Sequence, residues 1–153
     1  MKTPPKGLVV TAPAPGDKAA WRVLYNGYAE FYKVPMTDQT ADTVWGWIHD
    51  PKHEVNALVA KAGDGRLVGL AHYRQMARPL AGTMGGFLDD LFVAPDLRGG
   101  GVAEALMERL TEIGREKKWQ VIRWITAENN YRGRSFYDRC ATKTHWLTYE
   151  IRP

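Results

Sequence analysis

The hydrophobic pattern along this chain changes its period near residue 55. Over 18–32, Trp21, Leu24, Tyr25, Tyr28, Phe31 and Tyr32 recur at spacings of three and four, which predicts an amphipathic helix. Asp17 stands before it as a cap, and Pro35 ends it. A second helix is predicted over 41–49, with Trp45 and Ile48 on one face and Asp50-Pro51 as the stop. A short apolar run at 8–11 predicts a strand ahead of both.

Beyond residue 55 the period shortens. Strands are predicted at 55–61 and 66–75 around the hairpin turn Gly63-Asp64-Gly65. A loop at 82–86 leads to a strand at 87–93, closed by Pro95. The next helix follows 98–101 and runs to about 118, burying Val102, Leu106, Leu110 and Ile113. A β-branched strand at 121–126, a short helix at 132–140 and a final strand at 146–151 complete the order. Strands and helices in this sequence predict a mixed α/β, or α+β, sheet. At 153 residues the expectation is one domain, 1–153, with residues 1–7 as a flexible leader.

Composition narrows the class without naming a function. Hydrophobic residues make up 44% and charged residues 25%, as in soluble globular proteins, which argues against a fibrous or wholly disordered chain. No apolar run approaches the roughly 20 residues of a membrane span, and no membrane partner is expected. The single cysteine, Cys140, cannot form an internal disulfide and points to a reducing compartment, the cytoplasm. Four scattered histidines, with Pro51 between His49 and His53, predict no metal site. The net charge of +4 comes from basic and acidic residues spread along the chain, so no nucleic-acid partner is expected.

Candidate chemistry begins at Leu88-Asp89-Asp90-Leu91-Phe92-Val93, followed by Pro95 and then Arg98-Gly99-Gly100-Gly101-Val102-Ala103. A strand, a glycine loop and a helix N-terminus together make an anion site: glycine admits close approach, and the first helical N–H groups lack partners. The glycine spacing does not suit a dinucleotide fold, and the Gly-Lys-Ser/Thr ending of a nucleotide P-loop is missing. The segment 98–103 resembles the Gln/Arg-x-x-Gly-x-Gly/Ala signature of the GNAT superfamily of N-acetyltransferases. Residues 87–103 are most similar to the diamine (spermidine/spermine) N-acetyltransferases, which carry paired acidic residues ahead of an aromatic-Val pair. A second motif follows in order: a strand, Asn130, and Tyr137 seven residues later in a helix.

The resemblance implies a mainly antiparallel central sheet flanked by helices, with two strands splayed at the cofactor site. It implies acetyl-CoA as cosubstrate, held by Leu91, Phe92, Val93, Arg98, Gly99, Gly100, Gly101, Val102, Ala103 and Glu104, and by Asn130, Gly133 and Arg134 on the later helix. It assigns Tyr137 as the acid for the leaving thiolate and Asp89 as binder or base for the acceptor amine. Asp90, Tyr32 and Trp124 join Asp89 as substrate-binding candidates. The chain departs from the family at Gly133, where Ala is usual, and at Ala141-Thr142, where Gly and an apolar residue are usual.

Strand alternation sends the side chains of Asp89 and Asp90 to opposite faces, so one carboxylate is expected in the acceptor cleft. The aromatic residues of the first helices wall that cleft or fill the core. The function expected is transfer of acetyl from acetyl-CoA to a primary amine of a small molecule, a polyamine, diamine or amino acid, by direct attack in a ternary complex. The alternatives are a protein N-acetyltransferase and a non-catalytic CoA-binding sensor. By family resemblance a homodimer is expected, with 146–151 as its interface.

Overall fold

The structure, a computed structural model, describes residues 2–153. It divides into two compact units, 2–124 and 125–153. The first unit is built on a five-stranded sheet in the order β1 (Val9–Thr11), β2 (Val55–Lys61), β3 (Leu67–Arg78), β4 (Thr83–Val93), β5 (Ile122–Arg123). The first four strands are antiparallel neighbours, and β5 lies parallel to β4.

Helices cover both faces. On one, α1 (Lys18–Phe31) and α2 (Asp38–His49) pack Trp21, Leu24, Ala41 and Val44 against Val59, Leu70 and Phe92. On the other, α3 (Val102–Glu116) packs Val102, Leu106, Leu110 and Ile113 against Leu58, Ala60, Ala71, Tyr73 and Leu88. Successive residues of β2 therefore serve opposite cores, which is why its middle reads as an unbroken apolar run. Helix α2 starts three residues earlier than its periodicity predicts, because the Thr37 hydroxyl accepts the Thr40 N–H and caps it.

The predicted loop at 82–86 is the start of β4 instead. The chain reverses through Pro79–Ala81 and Gly82, and Thr83 already pairs with Arg78. The glycines at 85 and 86 serve packing: a Cβ on Gly86 would stand 2.4 Å from the Trp119 ring. Trp119 in turn packs on the α3-side core. The β4–β5 ladder covers only Gly86↔Ile122 and Phe87↔Arg123, so β5 is far shorter than the predicted 121–126.

The second unit contains α4 (Tyr131–Cys140) followed by a C-terminal segment without regular secondary structure. The strand expected at 146–151 does not form. Alternating large residues favour a strand only where a neighbour supplies hydrogen bonds, and among the described residues this segment has no ladder partner. Trp146, Leu147, Tyr149 and Ile151 are exposed. Replacement of Gly86 by Ala should cost about 1–3 kcal/mol by forcing Trp119 off the sheet, measurable as a lower denaturation midpoint; an unchanged midpoint would show that the ring yields freely.

Candidate functional site

One register shift organises the site. His72 pairs with Asp90 and Tyr73 with Leu88, so Asp89 is an extra residue in β4, a β-bulge. The strict alternation expected of adjacent strand residues fails here. Asp90 reaches His72 and Asp89 reaches Arg74, two residues apart on one face of β3. Both carboxylates thus lie on the α1/α2 side, not one on each face.

Asp90 is held from beneath. The Trp21 indole N–H donates to His72 Nε2 at 2.9 Å, and an indole can only donate. His72 therefore carries its proton on Nδ1 and donates it to Asp90 Oδ2 at 2.7 Å. Trp21 and His72 are buried, while the Asp90 side chain at the end of the chain is 19% exposed. The Tyr25 hydroxyl donates to the same oxygen at 3.4 Å. Burial, and then the Asp90 charge, hold the phenols of Tyr25 and Tyr28 well above the usual tyrosine range, so both stay protonated. Tyr32 packs edge-on against Tyr28.

Asp89 is partly open, with 31% of its side chain exposed. Burial raises its carboxyl above the ordinary aspartate range, helped by the Asp90 charge and opposed by Arg74. Arg74 Nε donates to both carboxylate oxygens, at 3.2 and 3.1 Å, while its guanidinium lies over the Phe87 ring at 5.1 Å.

The same strand runs on to the glycine loop. Leu91 and Val93 lie beyond the point where β4 and β5 stop pairing. Arg98 donates through Nε to the Val93 carbonyl and stacks over Phe92 at 5.2 Å. Gly99 and Gly101 have φ of +79° and +87°, a backbone that L side chains rarely adopt. These turns deliver the chain into the first turn of α3, where the N–H groups of Val102, Ala103 and Glu104 have no intrahelical acceptor. The loop suits a diphosphate: it combines unclaimed helical donors, a positive helix end and side chains too small to block approach. Lys2 Nζ donates to the Gly99 carbonyl at 2.7 Å, adding an ammonium at the loop. A cleft of about 380 Å³ opens beside it, lined by Phe31, Phe92, Ala94 and Arg98 among others.

Other expected residues have plainer surroundings. Glu104 is buried in the first turn of α3. Trp124 packs with the α3-side core, the face away from the two carboxylates. Trp45 is part of the α1-side core, against Trp21 at 4.9 Å. In the second unit, Asn130 caps α4 by accepting the Gly133 N–H at 3.1 Å. A Cβ at position 133 would meet the Asn130 side chain at 2.4 Å, so glycine in place of alanine gives this cap its room. Arg134 donates to the Glu128 carbonyl, and Tyr137 lies on α4 with its ring 5.5 Å from Phe136.

His72 and Arg74 belong to no recognisable motif, and Trp21 reads in the sequence only as a core-facing position of α1. One signal was available: His72 falls two residues after Leu70, in phase with the core-facing positions of its strand. A histidine there needs polar partners on both nitrogens.

A family model described as the acetyltransferase (GNAT) family matches residues 21–141. The chain belongs to that family and is an acetyltransferase. It is similar to the D-amino-acid N-acetyltransferase of Saccharomyces cerevisiae, 28% identical over 144 residues, covering 94% of this chain and 89% of the relative. A ribosomal-protein-alanine N-acetyltransferase from Brucella melitensis biovar Abortus 2308 superposes with a TM-score of 0.78 at 26% identity, over 95% and 98% of the two chains. The aminoglycoside N-acetyltransferase AAC(6')-Iy in complex with CoA shares the fold, with a TM-score of 0.82 at 17% identity over 95% and 94%.

Because the Asp89 carboxyl is raised in the folded state, the folded chain binds its proton more tightly than the unfolded one. Its ionisation therefore opposes folding as pH rises above the ordinary aspartate value of about 3.9. Asp89→Asn should be at least as stable as the parent at neutral pH while losing activity. Denaturation midpoints and initial rates measured together check this, and a less stable variant would contradict it.

Proposed function

We propose that the protein transfers acetyl from acetyl-CoA to a primary amine of a small molecule, in one step within a ternary complex. The observation that supports this most is the pair of carboxylates on one face of β4, on the strand that continues into the diphosphate-suited loop. Acetyl-CoA supplies the activated acyl group, and the loop residues 98–104 with the free edge of β4 from Leu91 to Val93 hold it. Asn130, Gly133 and Arg134 are proposed to contact it from α4. The chain 1–153 acts as one catalytic domain in the cytoplasm.

An alkylammonium with a pKa near 10.4 must lose a proton before it can attack, at a cost of roughly 4–5 kcal/mol at pH 7. Asp89 binds the ammonium and accepts that proton, directly or through one water. A carboxylate raised by burial is a stronger base than a solvated one, which suits this role. Asp90, held by His72, supplies the second carboxylate, and Tyr32 is proposed to border the acceptor, whereas Trp124, packed on the α3 side, is not placed to do so. As the new N–C bond forms and the C–S bond breaks, Tyr137 gives its phenolic proton to the thiolate sulfur. The proton accepted at Asp89 returns to solvent, and Tyr137 is reprotonated from solvent. No cysteine lies in either motif, consistent with direct attack.

The proposal is tested by acetyl-CoA-dependent thiol release with polyamines, diamines, amino acids of both hands and aminoglycosides as acceptors. Turnover on a small amine is expected. Acetyl-CoA binding without turnover on any of them would instead favour a protein acceptor or a sensor. Tyr137→Phe should lower kcat by about 10²-fold or more with little change in the KM for acetyl-CoA; an unchanged kcat would remove Tyr137 as the acid.

We further propose a homodimer in which the C-terminal segment pairs with a second copy. Trp146, Leu147, Tyr149 and Ile151 are 70–91% exposed, an apolar row that association would cover. Light scattering should give twice the chain mass, falling to the monomer on truncation after residue 143; a monomeric full chain would overturn this.

A further inference from the structure

The acceptor face carries a cation that simple amine binding does not require. Arg74 lies beside Asp89 on the α1/α2 face, with 36% of its side chain exposed, and both of its hydrogen bonds to Asp89 use Nε. Its two Nη groups make no hydrogen bond or ion pair among the described residues. The guanidinium carbon lies over the Phe87 ring, 5.1 Å from its centre. The result is a guanidinium on a side chain about one-third exposed, with both Nη groups uncommitted among the described residues, next to a carboxylate assigned above to an ammonium.

From this juxtaposition we propose that Arg74 is a specificity-determining residue that takes the α-carboxylate of an amino-acid acceptor. The inference rests on the acetyl-transfer proposal above and narrows its substrate class to α-amino acids. A zwitterion satisfies both partners at once: its ammonium sits on Asp89, and its carboxylate receives two parallel N–H bonds from the fork. A lysine at position 74 would supply charge without that fork. A polyamine fits poorly, because a second ammonium within reach of Asp89 also comes within reach of the guanidinium. An exposed Arg–Asp pair contributes little to stability by itself, so the pairing is weakly explained as a structural device.

Three acceptor sets separate the possibilities: free α-amino acids of both hands, the matching amino-acid amides, and spermidine, each with acetyl-CoA and product masses recorded. The parent should prefer free amino acids over their amides by about 10-fold or more in kcat/KM, as expected for loss of a charge-assisted bidentate contact. In Arg74→Gln that ratio should fall toward one, with the loss on amino acids appearing chiefly in KM. Arg74→Lys should recover part of the ratio. An equal fall on acids and amides in Arg74→Gln would indicate a structural role and overturn the inference, as would a parent that prefers amides or spermidine. Those results leave the acetyl-transfer proposal standing. Silence on all three sets with acetyl-CoA bound would overturn both.

Discussion

One buried hydrogen-bond chain sets the geometry on which the rest depends. Trp21 donates to His72 and His72 donates to Asp90, joining α1, β3 and β4 through two buried side chains and a partly buried carboxylate. Each link fixes the next: the indole has one proton, so the imidazole has one tautomer, so the carboxylate has one donor beneath it. A largely buried aspartate without such partners would be costly. With them, Asp90 is a stationary charge at the point where β4 gains its extra residue.

That extra residue gives the sheet its chemical face. A regular strand would have sent one carboxylate into the α3-side core, where Leu88, Leu106 and Leu110 offer no partner. The bulge keeps both on the α1/α2 face, next to Arg74 and the tyrosines of α1. The other face stays apolar and anchors α3, whose N-terminus is then presented at the end of the same strand. In the proposed reaction, acceptor charge and cosubstrate anchoring then fall at two ends of one stretch of strand, 89–93.

Much of this was legible in the residues. The spacing from Trp21 to Tyr32 marks α1, Gly63-Asp64-Gly65 marks the hairpin, and Arg98 to Ala103 marks the anion loop before α3. What stayed hidden depends on pairing across the fold. The bulge is a difference of one residue between β3 and β4, and no local pattern at Asp89 announces it. The glycines at 85 and 86 look like a turn because the reason for them, Trp119 and Val121, lies more than thirty residues away. Gly133 looks like a weakened helix until the Asn130 cap is placed against it. The residues 146–151 carry a strand's alternation, but pairing makes a strand, and the described chain provides none there.

We propose that β4 carries the acceptor carboxylates and leads the chain into the cosubstrate loop that follows it. The most direct measurement is a crystal structure of the protein grown with CoA. The diphosphate is expected on the backbone amides of 99–104, and the pantetheine arm along the open edge of β4 with its sulfur toward the face bearing Asp89 and Asp90. A diphosphate bound elsewhere, or an arm running along the α3 face, would contradict it.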